Sequence, residues 1–551
     1  MTESQAYVNG YSPFSFSDFS GGINLRDKAD TVGDKEAVDL LNVTFTDHGA
    51  IRQRDGVADL TTADLTNRVD SLAPFYNSGG TRHLIAGAGT RLEAVDNAGA
   101  VVASVTGLTS GPYSFARFAA PGSEFLYATN GVDAPRRWDG SSWTTPTATV
   151  NGTAASAMPK AGSLTVTAAV AGTASGTNAA NRLVATAYGT ATTAGPGGTA
   201  SNPSRVHFSN PGQPEVWETD GTSGRGRNFV DLTPGDGEQI MAAVTWRELV
   251  FIFKETKFFI MWGESTAADG TPIFNFREVV NGTGLASKQA VSVGRDGVYF
   301  LNRRGVYVTN GGDPQILSDK ISPLWTGNPE VYYQGKPINL AQLTVARMAW
   351  LNEQLHVAAP TGISSTNDRL LVYDTQHQWW TIYDMAASAL APFRRVDRDE
   401  LMFGYATGAQ RIGRHHLGLR NDRGSAITSR WRSGWSDYGQ PIVKTFRETK
   451  AWGAGAAYAS FSVDFQQTQT ATKDALFSLT STWPSSGTWG DWIALNGGVW
   501  PGGAQINDRM LRSSVQGTTF STQFSNHPMS PDWSIHRVVR NMRETRGASV
   551  R

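Results

Sequence analysis

Short apolar runs separated by Gly, Asn and Asp recur along most of the chain. The runs are about four to eight residues long and many alternate with polar positions, which is typical of β-strands joined by tight turns. In one example, the run 124–129 ends at Asn130-Gly131, a pair that supplies the positive φ of a hairpin turn. The pattern predicts an all-β fold, with helix only locally, for instance over 34–41.

Paired strands of this kind return at intervals of about 40 to 55 residues, the spacing of four-stranded propeller blades. We count five or six such repeats along the chain. The pattern therefore predicts an irregular β-propeller over 61–140 and 204–424. Residues 1–60 are expected to form an N-terminal arm and the first blade strand.

Two segments depart from the repeat. Residues 141–203 consist largely of Ala, Gly, Ser and Thr. Alternation at 164–168 and 183–188 nevertheless predicts a small β excursion inserted between blades. After residue 424 the blade pattern gives way to runs that predict a C-terminal antiparallel β-sandwich over 425–535, followed by a basic tail over 536–551.

Composition excludes several classes of function. The 551 residues include no cysteine, which excludes disulfides, iron–sulfur clusters and thiol nucleophiles. Lys and Arg number 48, as do Asp and Glu, so no net field draws the chain to nucleic acid or to an anionic membrane. No apolar run approaches the roughly 20 residues of a membrane helix. We expect synthesis in a cytoplasm and no membrane-spanning segment.

Candidate catalytic and metal-binding residues are few. Asp397, Asp399 and Glu400 resemble the carboxylates of a glycosidase, but their turn-rich surroundings favour a surface loop. The pair His415-His416 is the one histidine cluster, and its basic neighbour favours a solvated strand end over a metal site. We therefore predict no catalytic residue, no metal, no cofactor and no enzymatic activity.

The predicted tail carries arginines at short intervals and a single acidic residue, Glu544. Guanidinium groups bind carboxylates and phosphates. Two hypotheses follow: a solvated tail, or an arm that contacts acidic groups of a neighbouring subunit or DNA phosphates. The arginines considered for such a contact are Arg537, Arg540, Arg543 and Arg546.

A series of turn motifs runs in a fixed order through the first part of the chain. It begins with a Gly-Gly turn, a Leu-Leu-Asn ending and a Gly-Ala-Ile-Arg-Gln-Arg-Asp-Gly hairpin, and an Ala-Thr-Asn-Gly turn follows. In this order the motifs resemble those of phage tail β-propeller proteins, above all the nozzle (tail tubular) proteins of short-tailed phages. The motif residues are Gly21, Gly22, Asn42, Gly49, Arg54, Gly56, Asn130 and Gly131.

The resemblance implies a structural protein of the virion tail, made in the host cytoplasm. It implies a homo-oligomeric ring, with six copies expected, at the distal end of a short tail. Such a ring surrounds the channel through which DNA passes during ejection without sequence recognition, and it binds the tail adaptor protein and the fibres or spikes. The alternatives are a tail-tip (minor tail) protein of a long-tailed phage and, from another class, a glycan-active propeller enzyme or a lectin.

Overall fold

Strands form nearly all of the regular structure in the computed structural model of the chain. Within the described residues the helical segments are two 3-10 helices, Asp319–Ile321 and Leu340–Val345, and the helix α1, Pro323–Thr326. The structure describes residues 12–109, 111–120, 123–150, 153–158, 160–167, 181–188, 203–217, 228–266, 272–279, 282–327, 333, 335–439, 442–464, 471–477, 507–526 and 533–544.

The N-terminal residues form six short strands. They are β1 (Ser12–Phe16), β2 (Gly22–Ile23), β3 (Glu36–Leu41), β4 (Val43–Phe45), β5 (Ile51–Gln53) and β6 (Ala58–Asp59). The helix predicted over 34–41 is wrong, because this segment lies as β3 between β2 and a strand from the C-terminal part of the chain. Val38, Leu40 and Leu41 are buried there. In so short a segment, pairing on both edges outweighs a helical spacing of apolar residues.

Propeller blades follow, in most of which the strands pair in chain order as successive hairpins. Blade 1 comprises β7 (Val69–Tyr76), β8 (Arg82–Ala88), β9 (Arg91–Val95) and β10 (Val101–Val105). Blade 2 comprises β11 (Ser114–Ala120), β12 (Ser123–Thr129), β13 (Arg136–Trp138) and β14 (Trp143–Thr144). The buried residues of neighbouring blades form the apolar layers between them.

Blade 3 carries the insertion. Its region contains β15 (Thr147–Val150), β16 (Thr153–Ala157), β17 (Ala161–Val166), β18 (Leu183–Tyr188), β19 (Arg205–Asn210), β20 (Gln213–Trp217) and β21 (Phe229–Asp231). The blade itself is β17, β18, β19 and β21, and the other three strands extend its sheet. The runs that predicted an excursion are therefore the two inner blade strands, and the added strands lie on either side of them in the sequence.

The next three blades have the regular four-stranded form. Blade 4 comprises β22 (Ala242–Trp246), β23 (Leu249–Phe253), β24 (Phe258–Thr266) and β25 (Pro272–Val279). Blade 5 comprises β26 (Val291–Val293), β27 (Val298–Asn302), β28 (Gly305–Thr309) and β29 (Gln315–Ile316). Blade 6 comprises β30 (Arg347–Leu351), β31 (Gln354–Ala359), β32 (Arg369–Asp374) and β33 (Trp380–Tyr383).

Blade 7 closes the ring with a strand from the start of the chain. It comprises β34 (Ala387–Arg394), β35 (Asp399–Tyr405) and β36 (Ile412–His415), with β6 as the outermost strand. Ala58 and Asp59 of β6 pair with Arg414 and Gly413, and β34 packs beside β7 of blade 1. The propeller thus has seven blades rather than five or six. Blade 3 was missed because its inner strands consist mostly of small residues.

The same kind of hydrogen bond joins the inner strands of successive blades. A serine on one inner strand accepts from a backbone N–H at the start of the next blade, at 2.9 to 3.2 Å. These bonds fix the spacing between the blades near the axis. The pairs are Ser71 with Tyr113, Ser114 with Leu164, Ser163 with Ala243 and Ser292 with Trp350.

The remaining C-terminal strands join the N-terminal ones in an eleven-stranded sheet, here called the composite sheet. They are β37 (Asn421–Asp422), β38 (Ser425–Ala426), β39 (Arg430–Ser433), β40 (Lys444–Val463), β41 (Ala471–Phe477), β42 (Asn507–Gly517), β43 (Phe520–Asn526) and β44 (Trp533–Glu544). Strands β37 and β38 form a separate hairpin, and β1–β5 and β39–β44 form the composite sheet. The antiparallel C-terminal region predicted over 425–535 therefore also contains N-terminal strands. The tail predicted over 536–551 is a strand as far as Glu544.

Candidate functional site

Asn42, in the N-terminal segment, forms hydrogen bonds to both the propeller and the C-terminal segment. It lies between β3 and β4 with φ 52°, a left-handed conformation that asparagine tolerates better than most residues. Its backbone N–H donates to the carbonyl of Ile382 in blade 6 at 2.8 Å. Its side-chain amide donates to the carbonyl of Thr428, and its side-chain oxygen accepts from the Asp384 N–H. We call the contact of the propeller with the N-terminal and C-terminal segments around Asn42 the junction.

Arg54 forms the ion pair of the junction. Its guanidinium makes two hydrogen bonds to the Asp422 carboxylate, at 2.9 and 2.6 Å, and its Nε donates to the Asn42 side chain at 2.8 Å. The Arg54 side chain is only 1% exposed, whereas that of Asp422 is 29% exposed. A bidentate ion pair of this kind holds the two side chains in one orientation. The junction therefore fixes residues 42–54 against the hairpin β37–β38.

Two motif glycines allow close backbone contact at the junction. A Cβ on Gly56 would lie 1.9 Å from the carbonyl oxygen of Asn421. Gly22 has φ 72°, and a Cβ there would lie 2.7 Å from Trp379, just before the last strand of blade 6. A side chain at Gly56 would push the N-terminal segment away from the hairpin β37–β38, and one at Gly22 would push it away from blade 6.

The other motif residues lie elsewhere. Gly21 faces Lys35 and Glu36, and Gly49 faces Asp18, so both belong to turns within the N-terminal segment. Asn130 and Gly131 lie in blade 2, where the Asn130 side chain accepts from the N–H groups of the two residues after Gly131 at 3.0 and 2.9 Å. The structure thus brings together Gly22, Asn42, Arg54 and Gly56, and it leaves the remaining motif residues apart.

Three histidines form a cluster next to the junction, with His356 and His415 buried and His416 half-buried. The ring nitrogens Nε2 of His416 and His356 lie 3.3 Å apart, and the His415 and His416 rings are 4.3 Å apart. His415 Nε2 lies 3.1 Å from the carbonyl oxygen of Asp55. Burial lowers the pKa of all three histidines, so the cluster is neutral at pH 7. Within the described residues no group of three His, Asp or Glu side chains is suited to hold a metal ion.

The structure corrects two expectations about these candidates. His415 was expected at a solvated strand end, but it is buried because β36 lies between β35 and β6. Glu400 was expected in a surface loop, but its carboxylate is buried and accepts two hydrogen bonds from Arg414, at 2.7 and 2.8 Å. Asp397 is exposed and pairs with Arg398. These carboxylates are engaged by arginines instead of facing one another across a site.

The arginines of the predicted tail have different environments. Every second residue of β44 from Val538 to Met542 is buried, so Arg540 faces the interior with 2% exposure. It lies over the rings of Phe16 and Tyr438 and lines a cavity of about 50 Å³, and burial lowers its pKa to about 9. A contact of Arg540 with DNA or another subunit is excluded by this burial.

The other three arginines remain candidates for contact. Arg537 is exposed on β44, 5.2 Å from the Trp452 ring. Arg543 belongs to β44 by its backbone, but its side chain and all of Arg546 lie outside the described residues. Successive side chains of a strand point to opposite sides, so arginines three residues apart on β44 do not share a face.

A side chain bridges the propeller axis at one end. Gln289, just before blade 5, donates from its amide to the carbonyl of Tyr113 at the start of blade 2, at 2.8 Å. These two blades are three positions apart in a ring of seven, so the bond runs across the axis. The axial passage of a single propeller is therefore obstructed at this level.

Two apolar patches are exposed at the rim of the propeller. The first is β10, the outer strand of blade 1, which has the uncharged sequence Val-Val-Ala-Ser-Val. Its Val101 and Val102 are 43% and 48% exposed, and its outer edge is unpaired among the described strands. The second is the hairpin β24–β25 of blade 4, with Trp262 38% and Ile273 49% exposed. Neither patch was recognised in the sequence.

Comparison with known proteins adds little. No protein-family model and no curated protein matches the chain. The chain is similar to three solved structures. They are BBS1N in complex with ARL6DN, soaked with lead, at 12% identity and TM-score 0.39; the C-terminal WD40 domain of Sif2, at 11% and 0.32; and BamB from Moraxella catarrhalis, at 10% and 0.30. The similarities cover 66%, 69% and 68% of this chain and 98%, 94% and 95% of the other chains. The propeller assignment rests on the strand order and pairing described above. Among the described residues, none of the helices has the length and hydrophobicity to span a membrane.

Proposed function

We propose that the chain is a structural subunit of a phage tail, and that it forms the nozzle ring at the distal end of a short tail. The ordered turn motifs of the sequence suggest this role. The observation that carries it furthest is the pair of exposed apolar patches on blades 1 and 4. The proposal assigns the protein to the virion and gives it no catalytic activity.

A cyclic ring needs two different surfaces on each subunit, because the contact joins one face of a subunit to another face of the next. Blades 1 and 4 are three positions apart in a ring of seven, so their rims face nearly opposite directions. The unpaired edge of β10 also offers backbone hydrogen bonds to a neighbour. We propose that β10 of one subunit packs against the hairpin β24–β25 of the next.

The DNA passage would then be the hole of the ring. The axis of the single propeller is bridged by Gln289, so it does not serve as the conduit. Equal numbers of positive and negative side chains allow identical subunits to approach without long-range repulsion. In this proposal the composite sheet, held by the junction, moves with the propeller as one body and offers surfaces for the adaptor and for fibres or spikes.

The ring is tested by negative-stain microscopy and light scattering on the purified chain. Wild-type protein is expected to form sixfold rings with a central hole. The double variant Val101→Glu/Val102→Glu should give monomers, because burying two carboxylates at the contact costs several kcal/mol. Ile363→Glu is the matched control, since Ile363 is fully exposed in blade 6, outside both patches.

Other results would redirect or end the proposal. Rings that persist in the double variant would remove β10 from the contact. Rings of a symmetry other than sixfold would favour the tail-tip protein of a long-tailed phage. A wild-type monomer that also fails to bind isolated virion tails would contradict a structural tail role.

A further inference from the structure

A cavity of about 270 Å³ lies between blades 5 and 6. It is lined by residues of β27 to β29 on one side and by the end of β32 and the turn after it on the other. Its volume is near the lower limit for small-molecule sites, which is about 300 Å³. We call it the blade 5–6 cleft.

Two buried tyrosines line the cleft. Tyr299 and Tyr373 are only 2% and 7% exposed, and neither hydroxyl hydrogen-bonds to another described residue. Neither hydroxyl is fully enclosed by protein atoms, so each is able to hydrogen-bond to a ligand in the cleft. Burial raises the pKa of Tyr373 to about 12, and its hydroxyl is therefore a protonated donor at neutral pH.

The rim of the cleft carries exposed polar side chains that are available to a ligand. Asp313, Gln315 and Gln378 line it, and their side chains make no hydrogen bond within the described part of the chain. Leu317 and Val308 supply an apolar wall. Amide and carboxylate groups opposite an apolar wall match a ligand that has many hydroxyls around a ring with exposed C–H groups.

Charge selects against anions in this cleft. Both charged residues that line it are acidic, Asp296 and Asp313. The nearby Arg295 is already engaged, 3.1 Å from the Asp296 carboxylate and 3.4 Å from that of Glu353. An anionic ligand would meet uncompensated negative charge at Asp313.

We infer that the blade 5–6 cleft binds a neutral saccharide unit, with Tyr299, Tyr373 and Gln315 donating to its hydroxyls and Asp313 accepting from them. This binding site is separate from the apolar patches of the proposed ring. It stands whether the chain is a ring subunit or a monomer.

The test uses the full chain and a panel of D-glucose, D-galactose, D-mannose and N-acetyl-D-glucosamine, each titrated by ligand-observed NMR. At least one sugar is expected to bind with a dissociation constant in the millimolar range. Tyr299→Phe, which removes only the hydroxyl, should weaken binding about tenfold. Gln315→Ala alters the exposed rim without disturbing the core and should weaken it as well.

Two matched comparisons sharpen the test. Tyr307→Phe changes a tyrosine of the same blade that lies outside the cleft, and it should leave binding unchanged. The acid of the sugar that binds, such as glucuronate for glucose, should bind at least tenfold more weakly, and Asp313→Asn should reduce that difference. No binding of any neutral sugar, equal binding by Tyr299→Phe, or preference for the acid would each overturn the inference.

Discussion

Two arginines at the edge of the propeller and two in the composite sheet have contrasting partners. At the edge of the propeller, Arg54 and Arg414 each make two hydrogen bonds to a carboxylate, that of Asp422 and that of Glu400. In the composite sheet, Arg540 contacts aromatic rings and a threonine hydroxyl, and no carboxylate lies within ion-pair distance among the described residues. At the first two sites an ion pair fixes the orientation of the arginine, whereas Arg540 is buried without one. The contrast is between sites, since Arg347 of blade 6 is also buried and donates only to backbone carbonyls.

Arg432 extends the contrast to a second strand of the composite sheet. Its guanidinium donates to the hydroxyls of Ser521 and Ser462, at 3.3 and 3.0 Å, and lies over the Trp435 ring. Burial lowers the pKa of Arg432, as it does that of Arg540. Arg432 and Arg540 thus share an environment without a carboxylate, unlike Arg430 of the same sheet, which pairs with Asp39 at 2.8 Å. Removing one partner should have very different effects in the two regions.

The largest effect is expected at the junction. Asp422→Ala leaves the Arg54 guanidinium buried without its carboxylate, which should lower the free energy of unfolding by about 3–5 kcal/mol. Urea denaturation followed by tryptophan fluorescence measures the change. The control is Asp296→Ala, which breaks an exposed pair with Arg295 and should cost no more than about 1 kcal/mol. Equal effects of the two substitutions would mean that the junction adds no stability.

The histidine cluster should make the propeller sensitive to acid. The unfolded chain binds protons near the ordinary histidine pKa of about 6.5, whereas burial lowers the pKa of His356, His415 and His416 in the folded state. Stability is therefore fully present above about pH 6.5 and is lost as the pH falls below it, by up to about 1.4 kcal/mol per pH unit for each histidine. Denaturation curves between pH 7.5 and 5.5 measure this slope.

One variant isolates the contribution of the cluster to that slope. His416 has φ 68°, which asparagine tolerates, so His416→Asn should fold and should reduce the slope by up to one proton. His377 offers a control, because it is exposed beside Asp374. An unchanged slope in His416→Asn would assign the acid sensitivity to other groups.

The two regions also differ in how far the sequence predicts them. Hairpins such as β27–β28 pair strands that are neighbours in the chain, so the alternation of apolar and polar residues and the turn glycines predict them. The composite sheet pairs Leu41 with Arg430, and Ile51 with Ile535. No local sequence pattern indicates pairing between strands that lie so far apart in the chain. The junction illustrates this difference. The turn motifs of the sequence include Asn42 and Arg54, but no motif indicated their partner Asp422.

The smallest effect is expected from Arg540→Met, and it tests the contrast most directly. Methionine fills much of the same volume between Phe16 and Tyr438, and it removes the cost of burying a guanidinium that has no carboxylate. The free energy of unfolding should change by less than about 1 kcal/mol or rise. Arg540→Ala has the same change in charge but leaves a cavity, so it should cost about 2 kcal/mol or more. A loss from Arg540→Met as large as that from Asp422→Ala would show that the Arg540 charge itself stabilises the sheet, and the two regions would then not differ in kind.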